Sequence, residues 1–399
     1  MPWTERSGAV DSLTDFFYVP SDLFPFLREL MLSDIVVALS LIYALLIIIF
    51  TGGAMTSRYR TRGQYRPRVS IIVAARNEER YISQCLESLL RLTYPRELLE
   101  IIVIDDRSDD STAAIAQGYV KAHPHVRLLH SLPESGHLRG KTNAVTQGVE
   151  AAAGEIFMFT DADCRVPPGW VEGIVQHYGD DRVGTVAGFT SLKGGDWFSR
   201  MQALDWFVLF SAAAGTARMG FPTTAVGTNL SVRREAYEKV GGYRKIPFSV
   251  TEDYALFHAV TKQGGYRARI PMDPETLVES SPCSTIQELY HQKKRWFTGG
   301  RGMDAKSILV FVIPYLFNLS LLVALFALPW PTFVAALGAK LAVDFGFCLP
   351  SVVRFRRPEL LLVFPLYSLY YFLYVLIYPP LVLSGGKVVW KERTFQKQR

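Results

Sequence analysis

Cysteine is scarce. Cys85, Cys164, Cys283 and Cys348 lie far apart in 399 residues, with no C-x-x-C spacing. That excludes a disulfide framework and a cysteine-based zinc site, and it fits a reducing cytosol. The seven histidines show no metal-ligand spacing except His123 and His125, which read as an exposed loop. There is no internal repeat and no low-complexity tract. Charge is missing from long apolar runs near both ends and concentrated between them, so the 49% hydrophobic composition averages two unlike parts. A net charge of +6 taken alone suits nucleic acid. The basic residues, however, crowd beside the apolar runs. Arg58, Arg60, Arg62, Arg66 and Arg68 follow the first run, and Lys387, Lys391, Arg393, Lys397 and Arg399 follow the last. Such clusters mark cytosolic membrane ends and meet anionic headgroups, so no nucleic-acid partner is expected.

What is present reads as a tethered globular domain. Residues 35–55 form an apolar stretch of spanning length, ~20 residues, too far from Met1 for an ordinary signal peptide. The arginines after it place its C-terminal end in the cytosol. Residues 1–34 are then extracytoplasmic or interfacial. Residues 56–303 carry the polar composition of a cytosolic domain, and residues 304–386 a membrane region of two or three spans. Residues 387–399 form a basic tail that also asks to be cytosolic. Three full spans would put that tail outside, so one run is expected not to cross. The third is the suspect, because Pro365 and Pro379-Pro380 can break it into a re-entrant or interfacial hairpin. Lys340 and Asp344, spaced i, i+4 inside the second of these runs, read as a self-neutralising structural pair rather than an ion path.

Between the flanks, short β-branched runs alternate with helical spacing. Val69–Ala75, Glu100–Ile104, Val126–His130 and Glu155–Thr160 read as strands; residues 78–90, 110–121 and 141–153 read as helices. That alternation implies an α/β fold with a mostly parallel sheet, whose ligands bind beyond the carboxyl ends of the strands. Three polar groups follow strand ends there: Arg76-Asn77, Asp105-Asp106 and Asp161-x-Asp163.

Each group has a bland reading beside a chemical one. Two carboxylates at Asp161 and Asp163 offer hard oxygen ligands for Mg²⁺ or Mn²⁺, although a D-x-D alone is often a solvated turn. Ser108 or Asp109 suits helix capping, whereas Asp105 and Asp106 at the strand end can accept an N–H from a nucleobase. Arg139-Gly140-Lys141 opens a helix, and a cation with helix-start amides suits phosphate; the alternative is a surface basic loop. Asp253, with Phe248, Tyr254 and Leu256 near it in sequence, is either a helix-start acid or a carboxylate tuned as a general base. Lys293 and Lys294 read as a solvated or headgroup-facing stripe.

Several segments in order resemble the family 2 glycosyltransferases. They are Val69–Glu79, Asp105-Asp106-x-Ser108, Gly140-Lys141-x-Asn143-Ala144, Asp161-x-Asp163, Gly227-Thr228-Asn229 with Gly241-Gly242-Tyr243, Thr251-Glu252-Asp253 and Gln292-x-x-Arg295-Trp296. The last two are similar to the T-E-D and Q-x-x-R-W signatures of membrane-bound members. Ala74 departs from a proline often found there. The resemblance implies a GT-A (Rossmann-like) cytosolic domain with flanking transmembrane helices and an inverting, metal-dependent transfer. By position, it implies that Ala75, Arg76, Asn77, Glu78, Asp105, Asp106, Lys141, Asp161 and Arg295 bind the nucleotide-sugar donor. Asp163 with Asp161 would hold the metal, and Asp253 with Glu252 would form the catalytic pair. Gly227, Thr228, Asn229, Gln292 and Trp296 would face the acceptor. By resemblance UDP is the expected nucleotide.

Tethering at both ends points to a membrane-resident acceptor, and a small membrane part favours a single transfer to lipid, giving a glycolipid. A processive synthase of the hyaluronan, chitin or cellulose type is the alternative. A non-catalytic nucleotide-sugar-binding membrane protein or transporter is a third reading. The expected location is the bacterial inner (plasma) membrane.

Overall fold

The computed structural model describes residues 23–57, 65–300, 305–383, 388–390 and 393–395. Residues 1–22, Arg58, Arg60, Arg62 and most of the basic tail, with the expectations placed on them, lie outside the described residues.

The chain opens with helix α1 (Leu23–Met55), so residues 23–34, expected as a separate segment, continue into the apolar stretch as one helix. Then β1 (Val69–Ala75), α2 (Ile82–Leu90), β2 (Leu99–Asp105), α3 (Thr112–Ala122), β3 (Val126–His130), α4 (Lys141–Ala151) and β4 (Ile156–Asp161) alternate. Beyond them come α5 (Trp170–Val175), β5 (Val183–Ala187), β6 (Thr190–Leu192), α6 (Trp197–Arg218), β7 (Leu230–Arg233), α7 (Arg234–Lys239) and α8 (Gly242–Lys245). The domain closes with α9 (Glu252–His258), β8 (Arg267–Arg269), β9 (Val278–Ser280) and α10 (Ile286–Gly299). Three apolar helices follow, α11 (Ala305–Ala327), α12 (Trp330–Arg354) and α13 (Phe364–Leu383), and β10 (Val388–Trp390) pairs antiparallel with β11 (Arg393–Phe395).

The main sheet runs β3-β2-β1-β4-β7-β5-β8, parallel from β3 to β4 and antiparallel where β7 enters between β4 and β5. Strand β1 is apolar on both sides because helices cover both faces of the sheet. Val69, Ile71 and Val73 pack with Ile82, Leu86 and Leu89 of α2, while Ile72 turns to the other layer with Ala144 and Val149 of α4. Each such isoleucine contributes ~1.5–3 kcal/mol by burial. The register pairs Ala75 with Asp105, Ala74 with Asp161 and Asp105 with His130. The carboxyl ends of β1, β2 and β4 therefore finish on one edge, which gathers the polar groups that follow them.

Among the described residues, four helices are long and apolar enough to cross a membrane: Met31–Met55, Ala305–Ala327, Trp330–Arg354 and Pro358–Pro380. Helix α6 joins them to the sheet. Gly53 of α1 and Gly215 of α6 face each other so closely that a Cβ on Gly215 would meet the Phe50 carbonyl oxygen at 2.6 Å. Small residues allow that backbone approach. Arg354, at the end of α12, donates to the Met272 carbonyl at 3.0 Å, and Arg357 donates to Ser191 at 2.9 Å, so α12 returns to the domain.

Helix α13 corrects the expected hairpin: it is continuous from Phe364 to Leu383. Pro365 sits in its first turn, where its missing N–H costs nothing, and Pro379-Pro380 lie near its far end. Both halves touch the domain. Phe364 and Tyr367 join the main core cluster, while Tyr374 and Tyr378 pack on Phe297 of α10 with ring centroids 5.6 and 5.9 Å apart. The opposite side exposes Leu366, Leu369, Leu373 and Ile377 as one apolar stripe. Helix α13 thus runs along the base of the domain with its leucines facing away.

Candidate active site

A cavity of about 1270 Å³, open to solvent, lies beyond the carboxyl ends of β1 and β4. Its wall holds Ala75, Arg76, Glu78 and Asp106 on one side and Asp161 and Asp163 in the middle. Lys141, Gly227, Thr228, Glu252 and Asp253 line the back, and Gln292, Arg295 and Trp296 of α10 reach in from the far side. Residues separated by more than 200 positions meet here because α10 docks against the start of α9. The fit is close: a Cβ on Gly299 would meet Thr251 Oγ1 at 1.9 Å.

Lys141 links two motifs. Its ammonium lies 2.5 Å from Asp161 Oδ1 and 3.0 Å from Glu252 Oε1. Burial works against that charge, but Asp161, Glu252 and Asp253 outweigh it and hold the Lys141 pKa above the ordinary lysine value. The lysine expected at phosphate is here the counter-ion of an acidic cluster.

Asp253 is held from two backbone directions. The Gly227 N–H donates to its Oδ2 at 2.6 Å and the Tyr254 N–H to its Oδ1 at 2.8 Å. Burial first, then the Glu252 charge, push the Asp253 carboxyl up to about 6, against the pull of Lys141 and the two N–H groups. A carboxylate poised there accepts a proton effectively near neutral pH.

Asp163 accepts from Ser280 at 3.2 Å, and Ser280 and Ser281 also line the cavity. No group of three or more His, Cys, Asp or Glu side chains suited to a metal occurs among the described residues. Two adjacent carboxylates nevertheless fit a hard cation of the Mg²⁺ or Mn²⁺ type, which commonly takes one or two carboxylates and completes its shell with phosphate oxygens and water.

Three residues expected in the site do not line the cavity. Asn229 is 1% exposed, and its carboxamide is spent within the fold. Its Nδ2 donates to the Phe189 and Thr276 carbonyls at 2.8 Å each, and Trp170 Nε1 donates to its Oδ1 at 2.9 Å. Asp105 is 5% exposed and turns away from the cavity, 3.4 Å from His130 Nδ1, with the Ser108 N–H on its other oxygen at 3.3 Å. Asn77 stands in the left-handed region at φ 54, a conformation asparagine tolerates better than most side chains. It joins the β1 and β2 loops: its Oδ1 accepts from the Asp109 N–H at 2.9 Å and its own N–H donates to Ser108. Asn229 and Asp105 support the site from the buried side, and Asn77 holds its two loops together from the exposed side. Lys293 is also not solvated; it is buried, ion-paired with Asp205 and placed 4.3 Å over the Trp296 ring.

Conversely, Trp206, Thr142, Ser280 and Ser281 line the cavity without belonging to any motif. Trp206 sits with its ring 5.5 Å from Trp296. Its place among the aromatics of α6 was the only sequence signal.

An acid-lined cavity at the strand ends of a mostly parallel sheet is the arrangement of the GT-A glycosyltransferases. The chain belongs to glycosyl transferase family group 2, whose model matches residues 156–384, and the glycosyl transferase family 2 model matches residues 70–241. It is similar to a probable glycosyltransferase of Bacillus subtilis, YdaM, 26% identical over 258 residues, 64% of this chain and 60% of that one. It is also similar to a beta-monoglucosyldiacylglycerol synthase of Trichormus variabilis, 28% identical over 242 residues, 59% of this chain and 49% of that one. The chain therefore spans about half to three-fifths of these relatives' length. Its fold matches that of the mannosyltransferase PcManGT from Pyrobaculum calidifontis, solved with GDP-Man and Mn²⁺. That match has a TM-score of 0.58 at 21% identity and covers 85% of this chain and 99% of that one.

Proposed function

We propose that this chain is a membrane-bound inverting glycosyltransferase that moves a sugar from a nucleotide diphosphate sugar, UDP-linked, to a membrane lipid. The observation that carries the reading is Asp253: a half-buried carboxylate held by two N–H groups and pushed up to about 6, in a cavity lined also by Asp163, Trp206 and Trp296. Names of relatives support the acceptor class, since several are beta-monoglucosyldiacylglycerol synthases.

Asp106 accepts from the nucleobase, and Arg76 and Glu78 close that end. Arg295 steadies the diphosphate. Asp161 and Asp163 would hold a divalent cation, which when bound neutralises charge on the diphosphate leaving group. Asp253 takes the proton of the acceptor hydroxyl as its oxygen bonds to the anomeric carbon. The bond from that carbon to the diphosphate breaks on the opposite face, and the electron pair leaves with the nucleotide. Glu252 shares Lys141 with Asp161, which keeps the acidic cluster from repelling the donor. One base and no enzyme nucleophile mean inversion. Proton NMR of the product tests this: an α-linked donor should give a β-linked glycolipid, and retained configuration contradicts the mechanism.

Lys141→Met should move the acidic limb of the pH–rate profile to higher pH. The cation lowers the Asp253 pKa, so its removal raises it. An unmoved limb would mean that Lys141 does not act on the base.

The globular domain is cytosolic, in the bacterial inner membrane, and helix α13 lies in the membrane interface without crossing. The basic tail then shares the domain's side with Arg354 and Arg357, consistent with the charge rule. Green fluorescent protein fused after Arg399 should fluoresce and alkaline phosphatase fused there should be inactive. The reverse pattern would make α13 a full span.

A further inference from the structure

A second cavity, about 1130 Å³ including its mouth, lies between the apolar helices and the domain. Phe50 of α1, Val208 and Ala212 of α6, Pro314 of α11, Phe347 of α12 and Val375 of α13 are typical of its lining. Trp296 lines both this chamber and the catalytic cavity, so the two adjoin at one side chain.

The charges facing the chamber are matched. Lys293 is paired with Asp205, and Asp344 accepts from Lys340 at 2.5 Å and from the Tyr43 hydroxyl. Lys340 and Asp344 are thus the structural pair their spacing suggested. Among the described residues these two cations and two carboxylates cancel, leaving no surplus positive charge for an anionic headgroup. At the junction, two buried polar atoms have no hydrogen-bond partner among the described residues: the Trp206 Nε1–H, on a side chain 4% exposed, and the Gln292 Oε1. Both residues line the catalytic cavity. One is a donor and the other an acceptor, and a hydroxyl supplies the complement of each, whereas a fully ionised phosphate has no proton to give Gln292. Buried polar groups left unmatched carry a cost that a ligand of the right kind removes.

We propose that this chamber is the acceptor subsite. It takes the hydrocarbon of an uncharged lipid alcohol and presents the hydroxyl past Trp296 to Asp253, and it discriminates against lipid phosphates. This rests on the transfer reading above and goes beyond it by fixing the charge of the acceptor and its route.

The test uses the full-length protein in phosphatidylcholine vesicles carrying either diacylglycerol or phosphatidic acid and a polyprenyl phosphate. Label from the nucleotide sugar should enter the diacylglycerol and not the phosphates; the opposite result overturns the proposal. Leu209→Trp, which fills the chamber, should raise the KM for the lipid alcohol by about tenfold or more, with UDP binding by calorimetry reporting an intact donor side. An unchanged KM overturns the route. A diacylglycerol bearing a diazirine at its chain end should crosslink the wild-type protein within 208–212 and 310–314, competed by unlabelled lipid. Crosslinks confined to the outward stripe of α13 count against the chamber. If the chamber is crosslinked while no lipid is glycosylated, the transfer reading fails and the site stands.

Discussion

Asp253→Asn is expected to lower sugar transfer by about 10²–10⁴-fold while leaving nucleotide binding near wild type. The amide keeps the shape, so the Gly227 and Tyr254 N–H groups still meet an oxygen at one position, but it cannot take the hydroxyl proton. Wild-type kcat/KM should rise as pH climbs through about 6, because only the ionised carboxylate is a base and burial sets its pKa there. The residual activity of the Asn variant should lack that limb. Turnover close to wild type in this variant would remove Asp253 from the base role.

Asp163→Asn should cost about 10³-fold or more in transfer, the equivalent of several kcal/mol of lost stabilisation of the diphosphate leaving group. Chelation of divalent ions from the wild-type protein should have a comparable effect, reversed by adding Mn²⁺ or Mg²⁺. The two losses should not multiply: the variant is already insensitive to chelator if Asp163 acts by holding the cation. Titration of UDP with and without Mn²⁺ separates this from misfolding, since the metal should tighten UDP binding in wild type and not in the variant. A variant whose remaining activity still falls a thousandfold with chelator would place the cation elsewhere.

Much of this site was legible because parallel strands announce themselves. Val69–Ala75 and Ile156–Asp161 are β-branched or aromatic runs buried on both faces, and acids at the end of such a run can only stand at the sheet edge. That reasoning places Asp106, Asp161 and Asp163 correctly on the cavity wall. It does not resolve neighbours. Asp105 and Asp106 are adjacent, yet one faces His130 and the other the cavity, because successive side chains leave a strand end on opposite sides. Asn229 sits in a motif but its carboxamide joins three distant elements, a role invisible until α5, the Phe189 turn after β5 and the Thr276 turn are folded together. In sequence Lys141 reads as a phosphate ligand and Lys293 as a solvated cation. Both become counter-ions only when Asp161, Glu252 and Asp205 arrive from elsewhere. The prolines of α13 misled for a different reason: proline breaks a helix in its interior, and Pro365 is in the first turn.

The most direct measurement is transfer of radiolabelled sugar from a panel of UDP- and GDP-sugars into vesicles containing the purified full-length protein, Mn²⁺ and diacylglycerol. A labelled product from a UDP-sugar that extracts into chloroform and migrates as a single lipid band is the predicted result. Label held instead in high-mass, glycosidase-sensitive polymer, or no label in any lipid from any donor, would contradict single-sugar transfer to a membrane lipid.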